Sequence, residues 1–117
     1  MKYAILIYGE EVQSARVTPK EMETMSEGYA IYTRELIDAG VMKGGEALQP
    51  TATATSVRYQ GAKKALIHGP FAETKEQLLG FYLVEVPHLD DAVEWAAKCP
   101  GAKTGTVEVR PVREMNM

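Results

Sequence analysis

Apolar and polar positions along this chain follow two periods, one typical of strands and one typical of helices. Residues Lys2 to Tyr8 read KYAILIY and are apolar and β-favouring almost throughout, which predicts a strand with one or both faces covered. Phe81 to Val86 and Thr106 to Val112 predict two further strands. In the last of these, Val107 and Val109 alternate with polar residues, so we expect the two valines to face inward.

The first helix is predicted by a capping-box pattern. Thr18 is followed by Pro19 and then by Glu21, which places a hydroxyl at the cap, proline at the first helical position and an acid three residues on. We therefore expect a helix from about Pro19 to Ala39, ended by Gly40. Its inward face is expected to hold Met22, Met25, Tyr29, Tyr32 and Leu36.

A second helix is predicted from Leu89 to Lys98. Acids occupy its first turn and a Pro-Gly pair follows it, which are helix start and stop signals. His88 stands where a capping residue is expected. The expected inward residues are Leu89, Ala92, Val93 and Ala96.

The middle of the chain is predicted to be β-structure. Val41 to Leu48 follows the first helix after a single glycine, and Gly44 and Gly45 indicate a bulge or a close backbone approach there. Thr51 to Tyr59 and Lys63 to Gly69 predict a hairpin whose turn glycine has a positive φ. The element order is β-α-β, a hairpin, then β-α-β. It predicts an α+β, ferredoxin-like fold with an inserted β-hairpin and both helices on one face of an antiparallel sheet.

The other face of such a sheet lies open. If that face is apolar, two copies pairing sheet to sheet would bury it, so we expect a homodimer.

Length and composition restrict the class of protein. The 117 residues, 45% of them hydrophobic, suffice for one domain, 1–117, with one core. A formal net charge of -3 and a pI near 5.4 argue against nucleic acid as a partner. A single cysteine, Cys99, cannot form an internal disulfide and is expected to be a small packed residue. No run is long enough to be a signal-peptide core or a membrane span, so we expect a soluble, cytoplasmic protein with no membrane partner.

Several long strings resemble one known family. They are KYAILIYGEE, ELIDAGVMKGGEALQPTATATSVR, GPFAETKEQLLGFYLVEV, LDDAVEWAAKCP and GTVEVRPV. Together they cover nearly the whole chain and resemble the YCII-related proteins, specifically the subgroup labelled by a DGPF motif. The resemblance implies a dimeric ferredoxin-like α+β barrel from a bacterial cytoplasm. The motif reads His68-Gly69-Pro70-Phe71 here, so an imidazole replaces the usual carboxylate.

One activity of similar proteins does not carry over. Relatives that dehydrochlorinate hydroxyquinols use a histidine early in the first helix and an aspartate after the second. The corresponding regions here, 18–22 and 98–101, contain neither residue.

His68 is the candidate catalytic residue. It lies at a strand end beside a Gly-Pro turn, and an imidazole exchanges protons near neutral pH. The alternative is a polar side chain that only hydrogen-bonds a loop. Glu73 and Lys75 are candidate substrate-binding residues that would orient the imidazole or hold an anion, and the alternative is that they cap and solvate a short turn.

Tyr8, Tyr82 and Arg110 come from three different strands and are candidate substrate-binding residues in a cleft between sheet and helices. There an arginine would pair with a carboxylate and a tyrosine would donate to it. The alternative is core edge and surface. Two histidines and one thiol at no recognised spacing predict no metal site, and no phosphate loop or hydrolase elbow indicates a cofactor.

Two functions from different classes remain open at this point. The first is a cofactor-free enzyme in which His68 transfers a proton on a small polar or aromatic substrate. The second is a non-catalytic, small-ligand-binding or regulatory dimer, because the subgroup it resembles is often encoded beside sigma factors. A third possibility is a purely structural partner without an enclosed pocket.

Overall fold

The computed structural model describes residues 1–14 and 16–115, which form a mixed α+β architecture with two antiparallel sheets. The strands are β1 (Lys2–Gly9), β2 (Met42–Ala47), β3 (Thr55–Gln60), β4 (Lys63–His68), β5 (Gln77–Glu85) and β6 (Thr106–Pro111). The helices are α1 (Glu11–Ser14), α2 (Pro19–Asp38), α3 (Leu89–Lys98) and α4 (Gly101–Thr104). No helix in this described part is both long and apolar enough to cross a membrane.

The larger sheet has four strands in the order β2-β5-β1-β6, with every neighbouring pair antiparallel. Buried and half-buried positions alternate strictly along β1, so that Tyr3, Ile5 and Ile7 face the helices. This is the period of a strand with one face in the core. The apolar run at the start of the chain therefore forms a central strand, as its composition predicts.

The hydrophobic core lies between the four-stranded sheet and the helices. It contains Tyr3, Ile5, Ile7, Tyr32, Leu36, Val84, Val86, Ala92, Ala96 and Cys99. Val107 and Val109 pack against it, which confirms their predicted inward orientation. No buried core residue lies between positions 42 and 83, a span that includes β2, the hairpin and most of β5.

Helix α2 is capped as predicted and buries only its C-terminal half. The Thr18 hydroxyl accepts a hydrogen bond from the Glu21 N–H at 3.1 Å. Tyr32 and Leu36 are buried, whereas Met22 and Met25 are 55% and 41% exposed. The prediction of five inward residues was therefore wrong at the N-terminal end, because every residue from 19 to 27 is exposed and that half lies away from the sheet.

Helix α3 buries its small residues. Ala92 and Ala96 are buried and Trp95 is half-buried, whereas Leu89 and Val93 are about half exposed. Alanines at the contact let a helix approach a sheet closely, and residues three and four apart share one face. The predicted inward role of Leu89 and Val93 was wrong, because the inward face is centred on the two alanines.

Element boundaries differ most from the sequence prediction in β5, in β3 and after α3. β5 begins at Gln77 rather than Phe81, since it pairs with β1 as far as Gly9. Residues 51–53 form a 3₁₀ turn, so β3 is shorter than expected. The Pro-Gly stop after α3 leads directly into the short helix α4.

Strand β2 contains the irregularity that its glycines predict. The register against β5 shifts between Met42 and Gly44. A Cβ on Gly45 would lie 2.8 Å from the carbonyl oxygen of Phe81, and one on Gly80 would lie 2.7 Å from that of Glu46. The β2–β5 pair therefore requires glycine on both strands, because the two backbones approach too closely for a side chain.

Strands β3 and β4 form the predicted hairpin, with Gly61 at positive φ in its turn. The hairpin is a separate two-stranded sheet with no ladder to the larger one. Its base is held near the end of β1, where the Thr51 N–H and hydroxyl each donate to the Glu11 carboxylate at 2.8 Å. The hairpin therefore projects from the end of the sheet at which β1 finishes and β5 begins.

The face of the four-stranded sheet opposite the helices carries no covering element among the described residues. Cross-strand pairing places Ala4 and Leu6 of β1 beside Leu83 and Phe81 of β5 on this face. We call these four residues the open sheet face. It is apolar at its centre, which is the condition under which the sequence predicts pairing of two copies.

Candidate functional site

A cleft lies between α2 and the four-stranded sheet, and we call it the α2–sheet cleft. It has two adjoining lobes of about 820 and 390 Å³. Ile7, Met25, Tyr29 and Leu79 line both lobes. A volume of a few hundred cubic ångströms with apolar walls and a few polar groups is typical of a small-molecule site.

Two features of the sequence leave this space unfilled. The exposed N-terminal half of α2 lies away from the sheet, so Met25 contributes to a wall instead of packing into the core. On the sheet, Gly45 and Gly80 line the smaller lobe and present no side chain to it. The close β2–β5 approach that requires these glycines thus also shapes the floor of the cleft.

Tyr29 lies where the two lobes meet, and its hydroxyl is close to the Cys99 thiol and the start of α4. A Cβ on Gly101 would lie 2.8 Å from the Tyr29 hydroxyl, so only glycine fits beside it. Burial, followed by the neighbouring Cys99, raises the pKa of Tyr29 well above its ordinary value. A phenol is protonated at physiological pH even at its ordinary pKa, and this hydroxyl already hydrogen-bonds with the Cys99 thiol. Its oxygen lies in the wall of the cleft, where it adds a polar group to the apolar lining.

A second hydroxyl pair lines the smaller lobe. The Thr33 and Tyr82 hydroxyls lie 2.8 Å apart, and the Tyr82 ring meets Tyr32 edge to face with centroids 5.3 Å apart. Tyr32 is buried and donates to the Trp95 carbonyl at 2.8 Å. These contacts fix the Tyr82 ring, so its hydroxyl has a defined position in the cleft.

The mouth of the larger lobe is charged. The charged side chains there are Glu10, Arg16, Lys20 and Glu21. Glu21 accepts from the Thr18 hydroxyl at 3.1 Å. Among the described residues, Arg16 and Lys20 form no ion pair within 4.0 Å, so both remain available to an anionic group of a ligand.

Of the three residues expected to share one cleft, Tyr8 and Tyr82 border it and Arg110 lies outside it. Tyr82 faces the helices and lines the smaller lobe. Tyr8 borders the larger lobe, but alternation along β1 turns its side chain toward the open sheet face. Arg110, which pairs with Ala4, lies on that same face. Arg110 Nε donates to Glu108 at 2.8 Å, and this carboxylate raises the pKa of the guanidinium.

His68, Glu73 and Lys75 lie outside the cleft of their own chain. His68 ends β4 and pairs with Thr55 across the hairpin, and its side chain is exposed. Glu73 and Lys75 follow in the exposed segment before β5. None of the three lines either lobe. Within one chain, the structure does not bring the predicted catalytic residue to the predicted pocket.

Only weak sequence signals identify the residues that do line the cleft. Tyr29 and Met25 have the spacing of core residues on a helix, and that spacing does not distinguish a packed face from a cleft wall. The more specific signal is the set of glycines at 45, 80 and 101, because a glycine that faces a helix leaves room for a ligand. Across residues 1–14 and 16–115, no group of three or more metal-binding side chains is arranged around a common point.

Two comparisons with known proteins agree. Residues 1–116 match the family profile described as YCII-related domain. An uncharacterized protein of Rhizobium meliloti (strain 1021) is 37% identical over 114 residues, which cover 96% of this chain and 92% of that protein. The chain therefore belongs to the YCII-related family.

Proposed function

We propose that this YCII-related protein binds a small molecule in the α2–sheet cleft and works as a homodimer. The observation that carries the proposal is the cleft itself, with an apolar floor, the Tyr29 and Tyr82 hydroxyls, and cations at its mouth. Such a site suits a ligand with an apolar body and an oxygen-bearing or anionic end, such as a phenol or an oxo-acid.

The homodimer is supported by the open sheet face. Ala4, Leu6, Phe81 and Leu83 form an apolar centre that nothing in the described chain covers, and apolar patches of this kind mark interaction surfaces. The strand order β2-β5-β1-β6 with both long helices on one face supports the ferredoxin-like architecture. Two such sheets packed face to face would give the dimeric α+β barrel of the DGPF-type proteins.

Binding is better supported than catalysis by His68. Proton transfer requires the histidine within hydrogen-bond reach of the substrate, and His68 does not line the cleft of its own chain. A cofactor-free enzyme remains the second candidate function, for a substrate that meets His68 from another copy. A regulatory role beside sigma factors, which the resemblance to the DGPF subgroup implies, fits the binding function, and the bound ligand would then be the signal.

The test is a thermal-shift screen of small phenols, hydroxyquinols and oxo-acids. A ligand present at about 100 times its dissociation constant stabilises the native state by about 2.7 kcal/mol. Tyr29→Phe removes one hydroxyl from the cleft and is expected to weaken binding about tenfold, which roughly halves that stabilisation. Ser26→Ala removes an exposed hydroxyl of α2 that lines neither lobe and serves as the matched control.

The same screen on His68→Ala separates the two functions. Binding that survives in His68→Ala and weakens in Tyr29→Phe supports the cleft. Binding that is lost in His68→Ala and unchanged in Tyr29→Phe contradicts the cleft and moves the site to the hairpin.

A further inference from the structure

The β3–β4 hairpin presents one uncovered apolar face. The register pairs Val57 with Leu66 and Tyr59 with Lys64, so these side chains share a face with His68. Val57, Leu66 and Tyr59 are 58%, 54% and 70% exposed. Just beyond β4, Phe71 is 75% exposed. We call the surface of Val57, Tyr59, Leu66 and His68 the hairpin face.

A hairpin of this kind gains little stability alone. Isolated two-stranded hairpins are marginal in water and need a further strand or helix to pack against. The Cα radius of gyration is 16.3 Å, whereas a compact domain of this length is expected to have about 13 Å. The projecting hairpin is thus an arm that lacks a packing partner in its own chain.

The charge of the arm indicates what it packs against. Residues 47–72 contain Arg58, Lys63 and Lys64 and no acidic residue, although the whole chain has a formal net charge of -3. The rest of the chain is therefore more acidic than the whole. Lys64 shares the hairpin face, and Arg58 and Lys63 lie on the opposite face of the arm. A basic, apolar arm and an acidic body are complementary surfaces on the same molecule, which favours a second copy as the partner.

The position of the arm suits the same partner. The hairpin projects beside the four-stranded sheet and is not part of its ladder, so a pair of reciprocal arms would extend an interface formed by the two open sheet faces. A stable interface typically buries about 800 Å² on each partner.

We propose that the hairpin face packs on a second copy of this chain. In the resulting isologous dimer, each hairpin arm packs against the four-stranded sheet and helices of the other copy. This inference rests on the homodimer proposed above and adds the arms to it. His68 lies on the packing face, so the arm carries the imidazole of the HGPF motif into the interface. A site that includes His68 is then shared between two copies.

The test compares dimer dissociation constants by sedimentation velocity. Val57→Asp/Leu66→Asp places two charges on the hairpin face and is expected to raise the dissociation constant at least about 30-fold, the effect of losing a buried apolar anchor. Gln60→Asp/Ala62→Asp adds the same charge at the tip of the hairpin, off that face, and is expected to change it less than about threefold. Leu83→Asp on the open sheet face, outside both lobes of the cleft, reports on the sheet pairing separately.

Zero-length crosslinking gives a second readout. An equal mixture of ¹⁴N and ¹⁵N protein is crosslinked between lysines and carboxylates, and mass spectrometry then identifies mixed-isotope pairs. We expect Lys63 or Lys64 joined to a carboxylate of the other copy.

The outcomes separate the two proposals. A dimer that Leu83→Asp disrupts but Val57→Asp/Leu66→Asp does not, with crosslinks from Lys63 and Lys64 only within one chain, contradicts the packing of the arm and leaves the homodimer standing. A wild type that is monomeric at all concentrations contradicts both. Ligand binding in the cleft is measured independently by the thermal-shift screen.

Discussion

At the scale of single residues, buried hydroxyls connect the core to the cleft. Tyr32 donates to the Trp95 carbonyl, an acceptor in the last turn of α3, because the Cys99 N–H bonds to Ala96 instead. Its ring also holds Tyr82, whose hydroxyl lines the cleft. Tyr32 therefore satisfies a carbonyl at the end of α3 with its hydroxyl and positions Tyr82 in the cleft wall with its ring.

The pH dependence of stability tests this assignment. Burial raises the pKa of Tyr32 well above its ordinary value, with smaller effects from Cys99 and Tyr82. The unfolded chain loses this proton above about pH 10 while the folded chain keeps it, so the free energy of unfolding falls as pH rises beyond 10. Each such tyrosine contributes up to about 1.4 kcal/mol per pH unit to the decline.

Tyr32→Phe should be less stable than the wild type by about 1 to 2 kcal/mol at pH 7, and its decline above pH 10 should be shallower. Urea unfolding at pH 7, 10 and 11 measures both effects. Parallel pH curves for wild type and Tyr32→Phe would show that Tyr32 is not buried as described.

At the scale of elements, the fold has a packed part and a projecting part. All buried core residues come from β1, α2, the end of β5 and the segment from Val86 to Cys99. The hairpin contributes none of them. We therefore expect the four-stranded sheet to fold without the hairpin.

Replacing residues 55–68 with a short Gly-Ser linker tests this expectation. The variant should keep the far-UV circular dichroism of the helices and a cooperative thermal transition, while its dimer dissociation constant rises. A variant that fails to fold, although Val57→Asp/Leu66→Asp folds, would show that the hairpin stabilises its own chain.

Sequence patterns predicted the elements well where a pattern has only one structural interpretation. The capping box at Thr18, the alternation of Val107 and Val109, and the glycine irregularity in β2 all match the structure. Which side of a helix meets the sheet was harder to predict. The apolar stripes of α2 and α3 include residues that are not buried. Only tertiary packing decides that Met25 lines a cleft and that Leu89 is exposed to solvent.

The sequence predicts a cleft between sheet and helices, and the structure has one, but most of its lining residues differ from those predicted. A pocket between sheet and helices is present, and Tyr82 lines it. Strand parity turns Tyr8 and Arg110 to the other face, and the hairpin carries His68 away from the cleft. Parity depends on register, which a single sequence does not fix across strands distant in the chain.

At the scale of the whole molecule, three surfaces are uncovered in the described part of the single chain: the α2–sheet cleft, the open sheet face and the hairpin face. The cleft has the size for a small molecule. The open sheet face suits packing against another sheet, and the hairpin face suits packing against a second copy of the chain. The homodimer with reciprocal arms that we propose would cover the last two together. The cleft then remains as the binding site of the assembly.

An NMR titration of ¹⁵N-labelled protein with a compound from the screen tests whether the ligand binds in the α2–sheet cleft. Glycine amides report on each surface. Gly45, Gly80 and Gly101 border the cleft, whereas Gly40 lies beyond the far end of α2. If the ligand binds in the cleft, we expect saturable chemical-shift changes at the three cleft glycines and none at Gly40. Shifts confined to the hairpin at Gly61, with the cleft glycines unmoved, would contradict it.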